Sequence, residues 1–154
     1  MSDTVREILP AENGITMYVG LGSSLRGDDF AGSLVITMIE PHDNIVIFDA
    51  GEKTETAYDK ALEVKPVKAV FFDAADMRLP AGTVQMVYED TLSMRGVSTH
   101  KVPLPLITKL IREETGAEIV ICGIQPACVD FMHKMTESVK ESCEALAKII
   151  NNSR

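Results

Sequence analysis

Four aspartates in this sequence each follow an apolar segment of a kind that forms buried strands. They are Asp29, Asp49, Asp73 and Asp76. If those segments are parallel strands of one sheet, their carboxyl ends lie along one edge, and the four carboxylates converge on a single cleft. Clustered carboxylates repel one another unless a proton or a cation is present, and the pattern therefore favours a bound cation.

A histidine added to this cluster changes the metal that is expected. His100 follows an irregular segment and precedes a predicted helix, and it is the candidate. Two carboxylates and one imidazole suit zinc or nickel better than magnesium or calcium, which prefer oxygen ligands throughout. The hypothesis is a metal site at Asp29, Asp73 and His100. Spacing alone leaves alternatives open, because strand-end aspartates commonly cap helices or form turns. Of the other histidines, His42 is expected to be exposed and His133 to be structural.

The stretch 15–32, ITMYVGLGSSLRGDDFAG, organises the chain around this cluster. It predicts a buried strand, a tight glycine turn and the start of a helix at Asp28. A helix N-terminus presents unpaired N–H groups and a partial positive charge at the carboxyl edge of the sheet. We expect Asp28 to cap this helix by accepting backbone N–H bonds, which leaves Asp29 to point into the cleft above the sheet.

Apolar strands and amphipathic helices alternate through the rest of the chain. Further strands are predicted at 44–48, 68–72, 83–88 and 117–124, and helices at 28–40, at 53–64, between Pro103 and Gly116, and from Thr136 onward. This alternation predicts an α/β fold, a three-layer domain with a largely parallel, twisted sheet of about five strands and helices on both faces. Residues 15–154 are expected to form a single α/β domain, preceded by a short N-terminal appendage at 1–14.

Composition and charge argue against several function classes. The 154 residues carry a formal net charge of −8, and 45% of them are hydrophobic, which fits one globular domain. The negative charge argues against sequence-independent binding to nucleic acid, whose phosphates would be repelled. No apolar run is long enough to span a membrane and the N-terminus has no signal-peptide pattern, so a cytoplasmic protein without membrane attachment is expected.

Three cysteines without CxxC spacing argue against a disulfide framework. Cys122 and Cys143 are expected in the core, and Cys128 lies in a predicted loop, where packing is favoured over chemistry. The sequence also lacks the P-loop GK[ST], the GxSxG nucleophile elbow and the HExxH zinc motif. A nucleotide-binding domain whose aspartates hold magnesium is a weaker alternative, because it rests on fold analogy alone.

Four motifs together resemble the hydrogenase maturation endopeptidase family. They are GLGSSLRGDD at 20–29, FDAADM at 72–77, STHKVPL at 98–104 and GIQP at 123–126. They occur in the family's order and at similar separations, and the resemblance covers nearly the whole chain. It implies a hydrolase that removes the C-terminal extension from the large subunit of nickel-iron hydrogenases. The expected partner is therefore the precursor of that subunit.

The resemblance also implies roles for individual residues. The two acids and the histidine that bind metal in the family fall on Asp29, Asp73 and His100, which are the expected catalytic and metal-binding residues. Nickel is expected to arrive already installed in the precursor and to act as the recognition mark. Other divalent metals, such as zinc or cadmium, are expected to occupy the same site in vitro.

Three further aspartates, Asp28, Asp49 and Asp76, are expected to lie beside these ligands. The Asp49-Ala50-Gly51 sequence resembles the family's Asp-Gly-Gly, so Asp49 is also a candidate for contact with substrate. The chain departs from the family pattern at Ser23, where asparagine is usual, and at Phe30, where glycine is frequent. Neither departure replaces a predicted ligand.

A second function stays open beside proteolysis. The chain could be a non-catalytic maturation chaperone that binds nickel or the large subunit without cutting it. Processing of a precursor by the purified protein distinguishes the two.

Overall fold

The computed structural model describes residues 3–89 and 102–153. Within these residues, five strands form one sheet in the order β2-β1-β3-β5-β4. The strands are β1 (Thr16–Leu21), β2 (Ile45–Gly51), β3 (Lys68–Ala74), β4 (Val84–Met86) and β5 (Glu118–Ile124). Strands β2, β1, β3 and β5 are parallel, and the short edge strand β4 runs antiparallel to β5. The predicted α/β class with a largely parallel sheet is confirmed.

Helices cover both faces of the sheet. The helices are α1 (Asp3–Ile8), α2 (Ala31–Thr37), α3 (Glu55–Val64), α4 (Leu104–Thr115) and α5 (Glu137–Asn152). Apolar residues of α2 and α5 form a core with one face, and apolar residues of α3 and α4 form a second core with the other. The sheet is therefore covered by helices on both faces, and its carboxyl edge lies between these two helical layers.

Strands β1 and β3 lie at the centre, and they are buried along their whole length. Because successive side chains of a strand point to opposite faces, neighbouring residues enter different cores. Tyr18 and Phe72 belong to the core with α2 and α5, where their rings stack at a centroid distance of 6.1 Å, and Val19 and Phe71 belong to the core with α3 and α4. Burial on both faces explains why these segments are continuously apolar rather than alternating.

The helix predicted at 28–40 is divided in the structure. Gly27–Phe30 forms a 3-10 turn, and α2 follows from Ala31 to Thr37. The tighter turn occurs where the chain folds back against the end of β1. Other predicted helix ends agree with the structure: Thr136 precedes α5 in an extended conformation, and Gly116 ends α4 with a φ of 74°.

The N-terminal residues are folded onto the domain. The side chain of Ile8 is buried in the core. The hydroxyl of Tyr18 donates a hydrogen bond to the Ile8 carbonyl at 2.7 Å, and the ammonium of Lys68 donates one to the Leu9 carbonyl at 2.7 Å. The sequence predicted only an appendage at 1–14, because α1 is too short to show a hydrophobic period. The boundary at residue 15 stays a prediction.

Two of the three cysteines lie in the core, as predicted. Cys122 and Cys143 are both buried, and burial raises the pKa of each thiol to about 12. These thiols are therefore protonated and inert at neutral pH. Over the described parts of the chain, no helix combines the length and the apolar character that crossing a membrane requires.

Candidate active site

Glycines allow the chain to fold back sharply at the end of β1. Gly22 has a φ of +141°, and its N–H donates to the Gly51 carbonyl of β2 at 2.9 Å. A Cβ at Gly22 would lie 1.9 Å from the carbonyl oxygen of Asp29, and one at Gly32 would lie 2.0 Å from the Phe72 carbonyl oxygen. No side chain fits at either place. This close approach places the 3-10 turn, with its two acids, at the carboxyl ends of β1 and β3.

Asp29 is held at this edge by the backbone of the glycine turn. Its carboxylate oxygen Oδ2 accepts a hydrogen bond from the Ser23 N–H at 3.2 Å, and its own N–H donates to the Arg26 carbonyl at 3.0 Å. The residue is only 6% exposed. Ser23 is itself buried, and its hydroxyl accepts a hydrogen bond from the Leu25 N–H at 3.3 Å. The Ser23 departure therefore stabilises the turn without replacing a predicted ligand.

Asp73 lies beside it, on the neighbouring strand. It is the last but one residue of β3, it pairs in register with Gly123 of β5, and it is 4% exposed. Strands β1 and β3 are adjacent, with Gly20 opposite Phe72, and the 3-10 turn contacts β3. The structure thus brings Asp29 and Asp73 to the same edge of the sheet. Their role as ligands stays a prediction, and His100 lies outside the described residues.

Asp28 caps neither the 3-10 turn nor α2, so the prediction that it caps a helix is wrong. Its carboxylate accepts hydrogen bonds from the N–H groups of Ala127 at 2.8 Å, Cys128 at 3.1 Å and Thr136 at 2.6 Å, and from the Thr136 hydroxyl at 2.7 Å. No side chain caps the 3-10 turn. Because successive residues of a 3-10 turn are rotated by about 120°, Asp28 and Asp29 point in different directions.

These hydrogen bonds also determine the ionisation of Asp28, whose side chain is completely buried. Burial alone raises the pKa of this carboxyl. The hydrogen bonds from Thr136, Ala127 and Cys128 outweigh burial, so the pKa lies below its ordinary value. Asp28 is therefore a charged anchor that joins the glycine turn to the segment between β5 and α5.

Asp49, at the end of β2, has a similar anchoring role on the surface. Its Oδ1 accepts hydrogen bonds from the Ser33 hydroxyl at 2.7 Å and from the Gly51 N–H at 2.9 Å. Ser33 belongs to the first turn of α2, so Asp49 connects that helix to the strand end. The side chain is exposed and can also be reached by a substrate at this edge.

Asp76 contributes to the loop after β3 together with a residue that the sequence did not reveal. Its Oδ1 accepts hydrogen bonds from the Gln125 side-chain amide at 3.2 Å and from the Arg78 N–H at 3.1 Å. Gln125 is 6% exposed, and its Oε1 accepts hydrogen bonds from the N–H groups of Met77 at 2.6 Å and Leu79 at 3.3 Å. Gln125 thus shapes the loop that follows Asp73. A polar residue ending an apolar strand, in the GIQP motif, was the signal for it.

An ion pair fixes Glu89, which follows β4, to α4. Glu89 is the last described residue before the segment 90–101, and its carboxylate receives hydrogen bonds from both terminal nitrogens of Arg112 and, at 2.9 Å, from the Thr108 hydroxyl. Burial raises the pKa of Glu89, but the hydrogen bonds from Arg112 and Thr108 outweigh it and lower that pKa overall. These contacts fix where the segment begins.

The segment between β5 and α5 holds the remaining candidates. Cys128 is half-buried, and His133, which was expected to be structural, is exposed. His42 is exposed, as expected. Phe30, the other departure from the family pattern, is half-buried at the start of α2.

A cavity of about 540 Å³ lies away from these acids. Residues of α1, α4, the first half of β5 and the chain at and after the end of β4 line it, among them Glu7, Arg112 and Ile121. Neither Asp29 nor Asp73 contributes to it. The chemistry of the acids at the sheet edge, rather than the size of this cavity, therefore identifies the candidate site.

A family model described as "Hydrogenase maturation protease" matches residues 33–153. The chain belongs to the hydrogenase maturation protease family. The matched residues include Asp73 and the segment with His100, and they begin just after the 3-10 turn with Asp29. The family predicted from four motifs is confirmed, and with it the prediction that the chain is a protease.

Curated and solved members of this family agree with the assignment. The "Hydrogenase 3 maturation protease" of Escherichia coli is 32% identical over 129 residues, which cover 82% of each protein. The crystal structure of the hydrogenase maturation protease HycI from Thermococcus kodakarensis superposes with a TM-score of 0.86, at 30% identity and 97% coverage of each chain. The solution structure of the endopeptidase HycI from Escherichia coli gives 0.78, at 28% identity and 90% coverage of each chain.

Proposed function

We propose that this hydrogenase maturation protease removes the C-terminal extension of a nickel-iron hydrogenase large-subunit precursor after nickel has been inserted. Asp29, Asp73 and His100 engage the nickel carried by that substrate, and the metal serves as the recognition mark. The observation that carries the proposal is the position of Asp29, in the 3-10 turn that contacts β3, and of Asp73, at the end of β3. Both are nearly buried acids at one edge of the sheet, in a chain of this family.

The donor chemistry of these residues fits the metal. Placing two acidic side chains at one buried edge is unfavourable unless their charge is compensated, and a divalent cation compensates it. Carboxylates combined with the imidazole of His100 suit nickel, and they would also accept zinc or cadmium in vitro. The exposed Asp49 lies on the next strand end, where it can contact the precursor.

Hydrogen bonds and strand pairing position the two described donors, Asp29 and Asp73. The Ser23 N–H orients the Asp29 carboxylate, and the hydrogen-bonded pairing of β3 with β5 positions the backbone of Asp73. Gln125 shapes the loop that follows Asp73. When bound, the metal would supply Lewis-acid assistance beside the scissile peptide.

The experiment incubates the purified protein with a large-subunit precursor, either loaded with nickel or free of it, and follows the intact mass of the precursor. The proposal predicts loss of the C-terminal extension from the nickel-loaded precursor alone. Cleavage of both forms would contradict the role of nickel as the recognition mark.

Two variants distinguish the loss of a site carboxylate from the loss of a negative charge elsewhere on the protein. Asp73→Asn is the test variant, and Asp59→Asn, which neutralises an exposed acid of α3, is the matched control. Cleavage should be lost in the first and kept in the second. If the unmodified protein binds the precursor but cuts neither form, the chain is a maturation chaperone.

A further inference from the structure

The segment between β5 and α5 gathers three side chains that bind transition metals. The Cys128 sulfur, a carboxylate oxygen of Asp130 and a ring nitrogen of His133 all lie within 4.8 Å of one another. The three residues follow a C-x-D-x-x-H spacing in a region without regular secondary structure. Because no helix or strand imposes this proximity, the fold of the loop itself creates it.

Several hydrogen bonds hold this loop in place. The buried carboxylate of Asp28 accepts from the Cys128 N–H, and the Asp28 N–H donates to the Cys128 carbonyl at 2.8 Å. The Met132 N–H donates to the Leu25 carbonyl at 2.6 Å, and the His133 N–H donates to the Asp130 carbonyl at 3.2 Å. The backbone that carries the three side chains is therefore positioned from both sides.

We infer that Cys128, Asp130 and His133 form a second metal site, which binds a borderline divalent ion such as zinc, nickel or cobalt. A thiolate and an imidazole select these ions over magnesium and calcium. Three protein ligands leave one position of a tetrahedral site open, as in sites that exchange a ligand rather than in closed structural sites.

Access to solvent separates this cysteine from the other two. Cys128 is half-buried, and Asp130 and His133 are exposed, so an ion can reach the cluster. Cys122 and Cys143 are buried in the core. Metal binding by Cys128 releases its thiol proton to solvent.

A nucleophilic cysteine is the alternative use of the same residues, and the hydrogen bonding disfavours it. A Cys–His–Asp arrangement requires the imidazole to hydrogen-bond the thiol and the carboxylate to orient the imidazole. Among the described residues, no hydrogen bond joins the Cys128 thiol to the His133 ring, or that ring to the Asp130 carboxylate. Side chains that are close but not bonded to one another suit a shared ion better.

The site adjoins the turn that carries Asp29. A Cβ on Gly27 would lie 2.8 Å from the Cys128 carbonyl oxygen and 3.4 Å from the His133 Cβ. Gly27 immediately precedes Asp28 and Asp29, so the second metal site borders the candidate active site while sharing none of its predicted ligands.

Cobalt titration of the metal-free protein tests the inference. Co²⁺ bound by a thiolate gives a charge-transfer absorption in the near ultraviolet, and Zn²⁺ should displace it. The absorption should appear in the unmodified protein and also in the Asp29→Asn/Asp73→Asn variant, which lacks the two described ligands of the other site. This readout does not depend on proteolysis, so it can fail or succeed independently of the proposed function.

Single substitutions assign the ligands. Cys128→Ser should abolish the charge-transfer absorption. His133→Gln should weaken Co²⁺ binding by more than about a hundredfold, the upper end of the effects of residues outside the coordination sphere. His42→Gln, at an exposed histidine before β2, is the matched control and should leave binding unchanged.

Two results would overturn the inference. One is the absence of the absorption in the unmodified protein. The other is unchanged Co²⁺ binding in His133→Gln, a variant at an exposed position that is expected to fold even if Cys128→Ser does not.

Discussion

Two acids follow β1 and two acids lie at the end of β3, and the contacts of the two pairs are alike. At the end of β1, Asp29 lies at the sheet edge while Asp28 binds the segment after β5. At the end of β3, Asp73 lies at the edge, while Asp76 accepts a hydrogen bond from Gln125, the residue that follows β5. In each pair, one acid is a predicted ligand, and the other connects its loop to the chain around β5.

The two connecting acids differ in burial. Asp28 is completely buried and receives four hydrogen bonds, three of them from backbone N–H groups. Asp76 is exposed, and the buried Gln125 satisfies the backbone of its loop. The buried Asp28 carboxylate thus stabilises the loop at the end of β1, and the neutral Gln125 amide stabilises the loop at the end of β3. The loss in the free energy of unfolding should therefore be larger when Asp28 is substituted than when Asp76 is substituted.

The largest effect is expected on activity, at Asp29. Asp29→Asn should lower the rate of precursor cleavage by more than about a hundredfold, the upper end of effects from outside the coordination sphere. Its amide oxygen can still accept the Ser23 N–H, so the free energy of unfolding should change by less than about 1 kcal/mol. Cleavage by intact-mass analysis and urea denaturation measure the two quantities. Normal cleavage by the folded variant would contradict the role of Asp29.

The next largest effect is expected on stability, at Asp28. In Asp28→Asn, the amide NH₂ must face at least one buried N–H donor, so the free energy of unfolding should fall by about 3 kcal/mol. Urea denaturation measures this loss. Asp43→Asn, at an exposed acid in a turn, is the control. A loss no larger than in that control would show that Asp28 is not an anchor.

The stability of the protein should also depend on pH through Asp28. Its pKa is lower in the folded protein than in the unfolded chain, so its contribution is present above the unfolded value and is lost as the pH falls toward the folded value. The free energy of unfolding of the unmodified protein should therefore fall more steeply than that of Asp28→Asn between about pH 5 and about pH 3. Parallel slopes in denaturation series would contradict this assignment.

A smaller loss is expected at Gln125. Removing its amide in Gln125→Ala leaves the Met77 and Leu79 N–H groups without their acceptor, and the free energy of unfolding should fall by about 2 kcal/mol. Gln85→Ala, at an exposed position of β4, is the matched control. If both variants unfold at the same urea concentration, the Gln125 contacts do not stabilise the loop.

The smallest effect is expected at Asp76. Because Asp76 is exposed and an asparagine keeps an oxygen for the Arg78 N–H, Asp76→Asn should change the free energy of unfolding by about 0.5 kcal/mol or less. Thermal unfolding beside the unmodified protein measures this change. A loss as large as that of Asp28→Asn would remove the contrast between the two strand ends.

The sequence predicted the sheet, and the placement of acids at its carboxyl edge, better than it predicted the contacts of individual side chains. Apolar runs and glycine positions were sufficient for the sheet and for the placement of Asp29 and Asp73 at its carboxyl edge. The groups that the Asp28 carboxylate contacts lie about a hundred positions away in the sequence, as Thr136 does. Such contacts leave no local pattern, so Asp28 was predicted to be a cap.

The contacts of Gln125 and the proximity of Cys128, Asp130 and His133 were not predicted, for related reasons. Gln125 acts through backbone groups of another loop, and a single polar residue at a strand end has several ordinary explanations. Cys128, Asp130 and His133 lie in a loop without periodicity, where spacing does not determine distance. Only the anchored loop shows that they converge.

The most direct test compares Asp73→Asn with Asp76→Asn, both as folded proteins, in cleavage of the nickel-loaded precursor. It asks whether Asp73 acts in the active site while Asp76 only connects its loop. The two substitutions remove the same charge three residues apart. We predict that Asp73→Asn leaves the extension in place and that Asp76→Asn removes it at a rate close to that of the unmodified protein. Cleavage by Asp73→Asn, or equal loss in both variants, would contradict the assignment of Asp73 to the active site.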